Sequence, residues 1–308
     1  MRALAVVALA LALDVALGDP PNRWHPVAWI GALVGWGRRR LAHGPPTRLR
    51  GAGAALLVTV AAVAAVAGGV VVVAARAAGP VGLLVEALAL SALLSVRGLT
   101  VAARRVARRL EARDLVGARS AVGTDLVSRS TALLDRGHVA SAAIESVAEN
   151  LTDSIVAPIT FYLAFGLPGA AVYRAVNTAD AMIGYRGGVL EHFGRATARL
   201  DDLLNLVPAR LAACALVIAA PFAGASARGA LAIAWRHHRR TASPNAGWTM
   251  AAMAGALGLT LEKPEAYVLG TGPLPEPADI DRSLRVLVAA TLVALVAAAV
   301  VIVLIHPV

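Results

Sequence analysis

The chain has 308 residues, room for about two soluble domains, but 58% of them are hydrophobic and 28 glycines add to that share, against about 45–50% apolar in an ordinary globular chain with glycine included. Only 16% are charged and the mean hydropathy is +0.69, a surplus of apolar surface that excludes a soluble fold and points to lipid. The net charge of +10, nearly all from arginine, sits between apolar runs rather than in one patch, which fits the loop bias of a membrane protein and not nucleic-acid binding. The one cysteine, Cys214, lies in an apolar stretch, so there is neither a disulfide framework nor a Cys-based metal site.

These features predict an all-α, polytopic integral membrane helical bundle forming a single domain over residues 1–308. In chain order, the run 3–18 is a span or a signal peptide, and Asp14 inside it favours a retained helix. Residues 52–75, uncharged and about 36 Å long as a helix, form a clear span. Residues 81–99 form another; Glu86 and Arg97 within it, eleven residues apart, are expected to share a face turned into the bundle. Residues 101–150 read as a cytoplasmic insert of amphipathic helices broken at Gly117, Gly123 and Gly137. The run 155–176 is interrupted at Gly166–Gly169, and 206–224 carries Pro208, Arg210 and Pro221. Each is a kinked span or a re-entrant segment, and the arginine-rich loops, all expected to be cytoplasmic, favour two re-entrant or embedded segments. Residues 286–305 close the chain as a further span.

Four polar constellations stand out against this background. Glu145, Glu149 and Asp153, with Asn150 beside them, recur every four residues, a row of like charges that a divalent cation among them would stabilise; the alternative is a solvated helix face. Tyr173, Asn177, Asp180 and Gly184 share a second helical face. Arg199, Asp201, Asp202, Asn205 and Arg210 form the third, in which the paired aspartates are metal–phosphate ligands or helix caps ahead of Leu203. Ser243, Pro244 and Asn245 open a helix behind His237, His238, Arg239 and Arg240, an anion site or an ordinary cap. Polar groups at membrane depth are costly without partners, so these clusters are expected to converge. His25 is a lone histidine in a proline-rich turn, and no nucleotide-binding glycine loop or nucleophile elbow is present.

Six ordered blocks, GDPPNRWHPVAWIG from Gly18, SVRGL from Ser95, AIESVAENLTDSIVAP from Ala143, YRAVNTADAMIGYR from Tyr173, ARLDDLLNLVPAR from Ala198 and SPNAGWTMAAMAGALG from Ser243, make the chain resemble the CobD/CbiB family of membrane-bound adenosylcobinamide-phosphate synthases. Where that family usually shows G-R-D-T, this chain has Ser128, Arg129, Ser130 and Thr131. The resemblance implies ATP- and Mg2+-dependent amide formation between adenosylcobyric acid and aminopropanol phosphate, or a similar amino-alcohol phosphate, at a cytoplasm-facing site in the cell membrane. It implies catalytic roles for Glu145, Glu149, Asn150, Asp153, Asp180, Asp201 and Asp202, with Glu149, Asp153, Asp180, Asp201 and Asp202 holding magnesium–phosphate. Substrate contacts would come from His25, Arg97, Arg129, Tyr173, Asn177, Arg199, Asn205, Arg210, Ser243 and Asn245. Implied partners are the corrinoid, the amino-alcohol phosphate, the bilayer and other cobalamin-biosynthesis membrane proteins, with no nucleic acid. The competing expectations are a non-catalytic membrane sensor similar to AmpE and an intramembrane transferase acting on lipid diphosphates.

Overall fold

The computed structural model describes residues 1–305. In chain order it contains α1 (Arg2–Leu17), α2 (Pro26–Leu41), α3 (Pro46–Ala77), α4 (Gly82–Ser91), α5 (Val96–Glu111), α6 (Leu115–Asp125), α7 (Arg136–Leu151), α8 (Ala157–Ile183), α9 (Gly188–Phe193), α10 (Arg195–Leu204), α11 (Leu206–Ala219), α12 (Ala227–His237), α13 (Ala246–Leu257), the strands β1 (Thr260–Lys263) and β2 (Tyr267–Gly270), and α14 (Pro277–Ile305). The expected all-α bundle is present, with one antiparallel hairpin added. Among the described residues, five stretches are long and apolar enough to cross a membrane: Pro46–Ala77, Gly79–Glu111, Arg136–Ile183, Leu206–Ala223 and Pro277–Leu304. At 16 residues, about 24 Å, α1 is shorter than these.

The chain divides into two compact units, each assembled from separate pieces of sequence. The first contains Met1–Ser95 and Ala157–Asn205. Its longest helix, α3, buries Leu49, Gly53, Leu56, Val60, Ala64 and Gly68 along one stripe at three- and four-residue spacing, while Val58, Val63, Val66, Val70 and Val73 face outward, the division expected of a helix packed on one side and lipid-facing on the other. Gly53 permits the α3 packing, since a Cβ there would lie 1.8 Å from the Phe193 carbonyl oxygen. Helix α4 holds Glu86 inward, where it accepts hydrogen bonds from Tyr162 at 2.8 Å and Arg2 at 3.2 Å.

The interrupted run 155–176 is a hairpin. Gly166 adopts φ 67°, ψ −166°, a conformation favourable to glycine alone, and the chain reverses there. The rings of Phe161 and Tyr173 stack with centroids 5.1 Å apart, whereas twelve residues of straight helix would separate them by about 18 Å. The first leg is longer than the apolar run suggests, because α7 continues into α8 through a π turn over Thr152–Val156.

The second unit contains Val96–Val156 and the chain from Leu206 onward. Helix α7 is buried on every side from Val139 to Ala148, so it is the unit's axis and not the amphipathic, solvated helix expected of the 101–150 insert. Its alanines and serines let α5, α13, α14 and β1 approach closely. Helix α5 does match the amphipathic expectation, with Leu99, Ala103, Val106 and Leu110 inward and Arg104, Arg105, Arg108 and Arg109 outward.

Four local expectations are corrected. Glu86 and Arg97 do not share a helix face, because α4 ends at Ser91 and α5 begins at Val96. Gly117 and Gly123 lie within α6; the breaks fall at Arg113, with φ 59°, and between Asp125 and Arg136. The π turn disturbs the four-residue row at Asp153, because its bonds reach five residues instead of four. The helix after Ser243 starts at Ala246, with Asn245 as its cap residue, although the Ser243 hydroxyl still accepts from the Asn245 amide at 3.2 Å.

Candidate functional site

In the first unit the second and third constellations meet. Tyr173, buried in the returning leg of α8, donates its hydroxyl to Asn205 Oδ1 at 2.9 Å, and Asn205 Nδ2 donates to Asp201 Oδ2 at 3.0 Å. Asn177 Nδ2, one turn along from Tyr173, donates to Asp201 Oδ1 at 3.3 Å and accepts from Arg174 at 3.2 Å. Asp201 lies mid-helix in α10 and caps nothing; both its oxygens are held by amides. Burial pushes its carboxyl up to about 6, against the lowering pull of those two amides, and the Asp202 charge adds to the rise. Asp180 sits one turn from Asn177 and packs against Gly184, whose Cβ position its Oδ1 occupies. Arg199 is exposed on α10.

The proline-rich turn belongs to this unit as well. His25 is the cap residue of α2: its Nδ1 accepts from the Val27 amide at 3.2 Å, and Nε2 lies 3.6 Å from Asp19. Asp19 in turn accepts from Ser95 at 3.4 Å, joining the first and second sequence blocks.

In the second unit the buried carboxylate of Glu145 is the centre. Ser141 donates to its Oε1 at 2.8 Å, Tyr267 donates to Oε2 at 2.7 Å, and Arg129 Nη2 stands 3.5 Å from Oε2. The acid is 4% exposed and needs these donors, because an unpaired buried charge is costly. Burial, with the Glu145 charge beside it, raises the Tyr267 hydroxyl far above its ordinary range and keeps it a donor. Glu149, one turn on, contributes to that rise, which places it in the same electrostatic neighbourhood. Asn150 is used within its own helix, donating to the Ser146 carbonyl at 2.9 Å and accepting from Ser154 at 2.7 Å.

A second polar group in this unit joins α11 to the start of α13. Arg210 donates to Asn245 Oδ1 and, at 3.3 Å, to the Pro244 carbonyl, and its guanidinium lies 5.3 Å from the Trp248 ring centroid. His238 stacks on the same tryptophan at 4.0 Å. Arg97 is exposed at the start of α5.

Sequence reasoning missed Tyr267, Ser141 and the hairpin that carries the tyrosine. The signal was present in TLEKPEAYVLG, where a Pro-Glu turn separates two short runs; Glu265 takes the left-handed conformation, and Leu261 pairs with Leu269. The Ser141 hydroxyl also accepts from the Glu262 amide at 2.7 Å, fastening the hairpin to α7 beside Glu145.

The model of the CobD/Cbib protein family matches residues 7–287, a range that contains every one of these polar clusters. The chain belongs to the CobD/Cbib family. It is 42% identical over 270 residues to the probable cobalamin biosynthesis protein CobD of Methanothermobacter thermautotrophicus, covering 88% of each chain. It is 40% identical over 271 residues to the cobalamin biosynthesis protein CobD of Dehalococcoides mccartyi, covering 88% of this chain and 87% of the relative. To the protein of that name from Rhodobacter capsulatus it is 41% identical over 305 residues, 92% of each chain. No solved structure matches it. The family's membership therefore extends to both units, including the Asp201 network in one and the Glu145 network in the other.

Proposed function

We propose that this protein acts in cobalamin biosynthesis as an ATP-dependent ligase, joining a propionate of adenosylcobyric acid to the amine of aminopropanol phosphate or a close amino-alcohol phosphate. The observation that carries this reading is the family match over residues 7–287, together with relatives whose names place them in cobalamin biosynthesis. The chemistry of the two networks suits the reaction. The propionate oxygen takes the terminal phosphoryl group of ATP and ADP leaves. The amine then attacks the acyl carbon, the C–N bond forms, the C–O bond breaks and phosphate departs.

Glu145 is the base for the attacking ammonium: it is a buried carboxylate whose donors are two hydroxyls and one guanidinium at 3.5 Å, an acceptor that can exchange a partner for the substrate. Arg129, Arg199 and Arg210 offset phosphate charge. His25, Tyr173, Asn177 and Asn205 in the first unit, and Arg97, Ser243 and Asn245 in the second, are the proposed contacts to the corrinoid and the amino-alcohol phosphate. Among the described residues no three His, Cys, Asp or Glu side chains are gathered as a metal cage. In this proposal magnesium arrives with ATP, held chiefly by phosphate oxygens and water and completed by one or two of Glu149, Asp153, Asp180, Asp201 and Asp202.

The test is mass spectrometry of the corrinoid after detergent-purified protein is incubated with adenosylcobyric acid, aminopropanol phosphate, ATP and magnesium. The amide product with one ADP released per bond is expected, and alanine at Glu149 or Asp201 lowers the rate at least tenfold. Absence of both product and corrinoid binding overturns the reading.

A further inference from the structure

Beside the Glu145 network, α6 and the loop that follows it line an open cavity of about 550 Å3. Its polar lining comes from Arg119, Ser120, Thr124, Arg129, Ser130 and Thr131, with no carboxylate among the lining residues. The volume suits a small molecule.

The cavity is built, not incidental. Arg119 donates from Nε to the Leu134 carbonyl at 2.6 Å, and its own carbonyl accepts from the Thr131 hydroxyl at 2.8 Å. These two bonds clasp the loop to the helix and hold the guanidinium by one nitrogen. The other two nitrogens of Arg119 make no hydrogen bond among the described residues. Arg129, also in the lining, makes one ion pair among the described residues, with Glu145 at 3.5 Å.

We propose that this cavity is a phosphoryl-binding pocket, in which Arg119 and Arg129 grip a dianionic phosphate and the hydroxyls of Ser120, Ser130 and Thr131 complete its oxygen shell. The guanidinium of Arg119, with that of Arg129 beside it and no carboxylate in the cavity lining, favours an anion with several oxygens, and a phosphate monoester carries three at one end. The assignment of its natural ligand rests on the ligase reading above, which supplies two sources of that chemistry: the amino-alcohol phosphate and the terminal phosphoryl of ATP.

Calorimetric titration of the detergent-purified full chain with aminopropanol phosphate, ATP and unphosphorylated aminopropanol tests the pocket without requiring turnover. At least one phosphorylated ligand is expected to bind tenfold or more tightly than aminopropanol. Arg119→Gln and Thr124→Glu are each expected to weaken it at least tenfold. Thr124 lines the cavity and is exposed, so the added carboxylate repels phosphate without disturbing the core even if loss of the Leu134 bond loosens the loop in the arginine variant. Weakening confined to aminopropanol phosphate, or to ATP, supports the pocket and names its ligand. Unchanged binding of both ligands in Thr124→Glu overturns the pocket, and so does failure of the wild-type protein to prefer phosphorylated ligands. If the amide product forms while both variants keep the wild-type KM for both substrates, the pocket fails and the ligase reading stands.

Discussion

The hydroxyl of Tyr267 reaches Glu145 at 2.7 Å across 122 residues of sequence, tying the tip of the β-hairpin to the buried centre of α7. Tyr267→Phe removes one donor from a buried carboxylate and is expected to destabilise the protein by about 1–3 kcal/mol. Thermal unfolding in detergent reads this as a lower midpoint. Glu145→Gln partly rescues the tyrosine variant, because the amide form no longer buries a charge.

Asp201 gives stability a pH dependence. Its carboxyl titrates near 6 in the folded protein against about 3.9 in an unfolded chain, so between those values the folded state binds more protons. Stability therefore falls as pH rises from about 4 to about 6 and changes no further above that. Asp201→Asn removes the titration. Unfolding midpoints measured from pH 4 to 7 should show a declining component in the wild-type protein that is absent from the variant.

Gly53 and Gly51 lie half a helical turn apart on α3 and should respond oppositely. A Cβ at Gly53 meets the Phe193 carbonyl oxygen at 1.8 Å, backbone that cannot yield cheaply, whereas a Cβ at Gly51 meets nothing within 4 Å. Gly53→Ala is expected to cost about 1–3 kcal/mol through overpacking, while Gly51→Ala is neutral or slightly stabilising through better helix propensity. Comparing their unfolding midpoints checks the packing of α3 directly.

Glu86 is held by donors from two other helices, Arg2 on α1 and Tyr162 on α8. Glu86→Leu leaves the buried Tyr162 hydroxyl without its acceptor and should destabilise by about 1–3 kcal/mol. Glu86→Gln keeps an acceptor and should cost less. An equal loss in both variants would show that the charge pair with Arg2, and not the tyrosine bond, carries the effect.

The large-scale architecture was legible because burial in lipid leaves an uninterrupted apolar signature, as in α3 and α14. Convergence was legible in part: the spacing of Tyr173 and Asn177, and of Asp201 and Asn205, placed each pair on one face, and the cost of burying them argued for mutual partners. The outcome at Gly166 was not fixed by its sequence, since a Gly-Leu-Pro-Gly interruption fits a kink as well as a reversal; the Phe161–Tyr173 stack decides it. Tyr267 was invisible because its partner is distant in sequence and sits in a helix whose small residues look amphipathic until their neighbours are known. Arg119 passed as one more loop arginine for the same reason. Its distinction lies in the Leu134 carbonyl that anchors it.

The interleaving of the two units also sets an order of assembly on the ribosome. The first unit is complete once Asn205 has been made, whereas residues 96–156 of the second must wait for the chain beyond Leu206. Until α13, the hairpin and α14 are synthesised, α7 has a buried-type surface on all sides and Glu145 lacks Tyr267. The middle of the nascent chain is therefore the stretch most exposed to misfolding, and truncations that remove α14 should be degraded even though the first unit is intact.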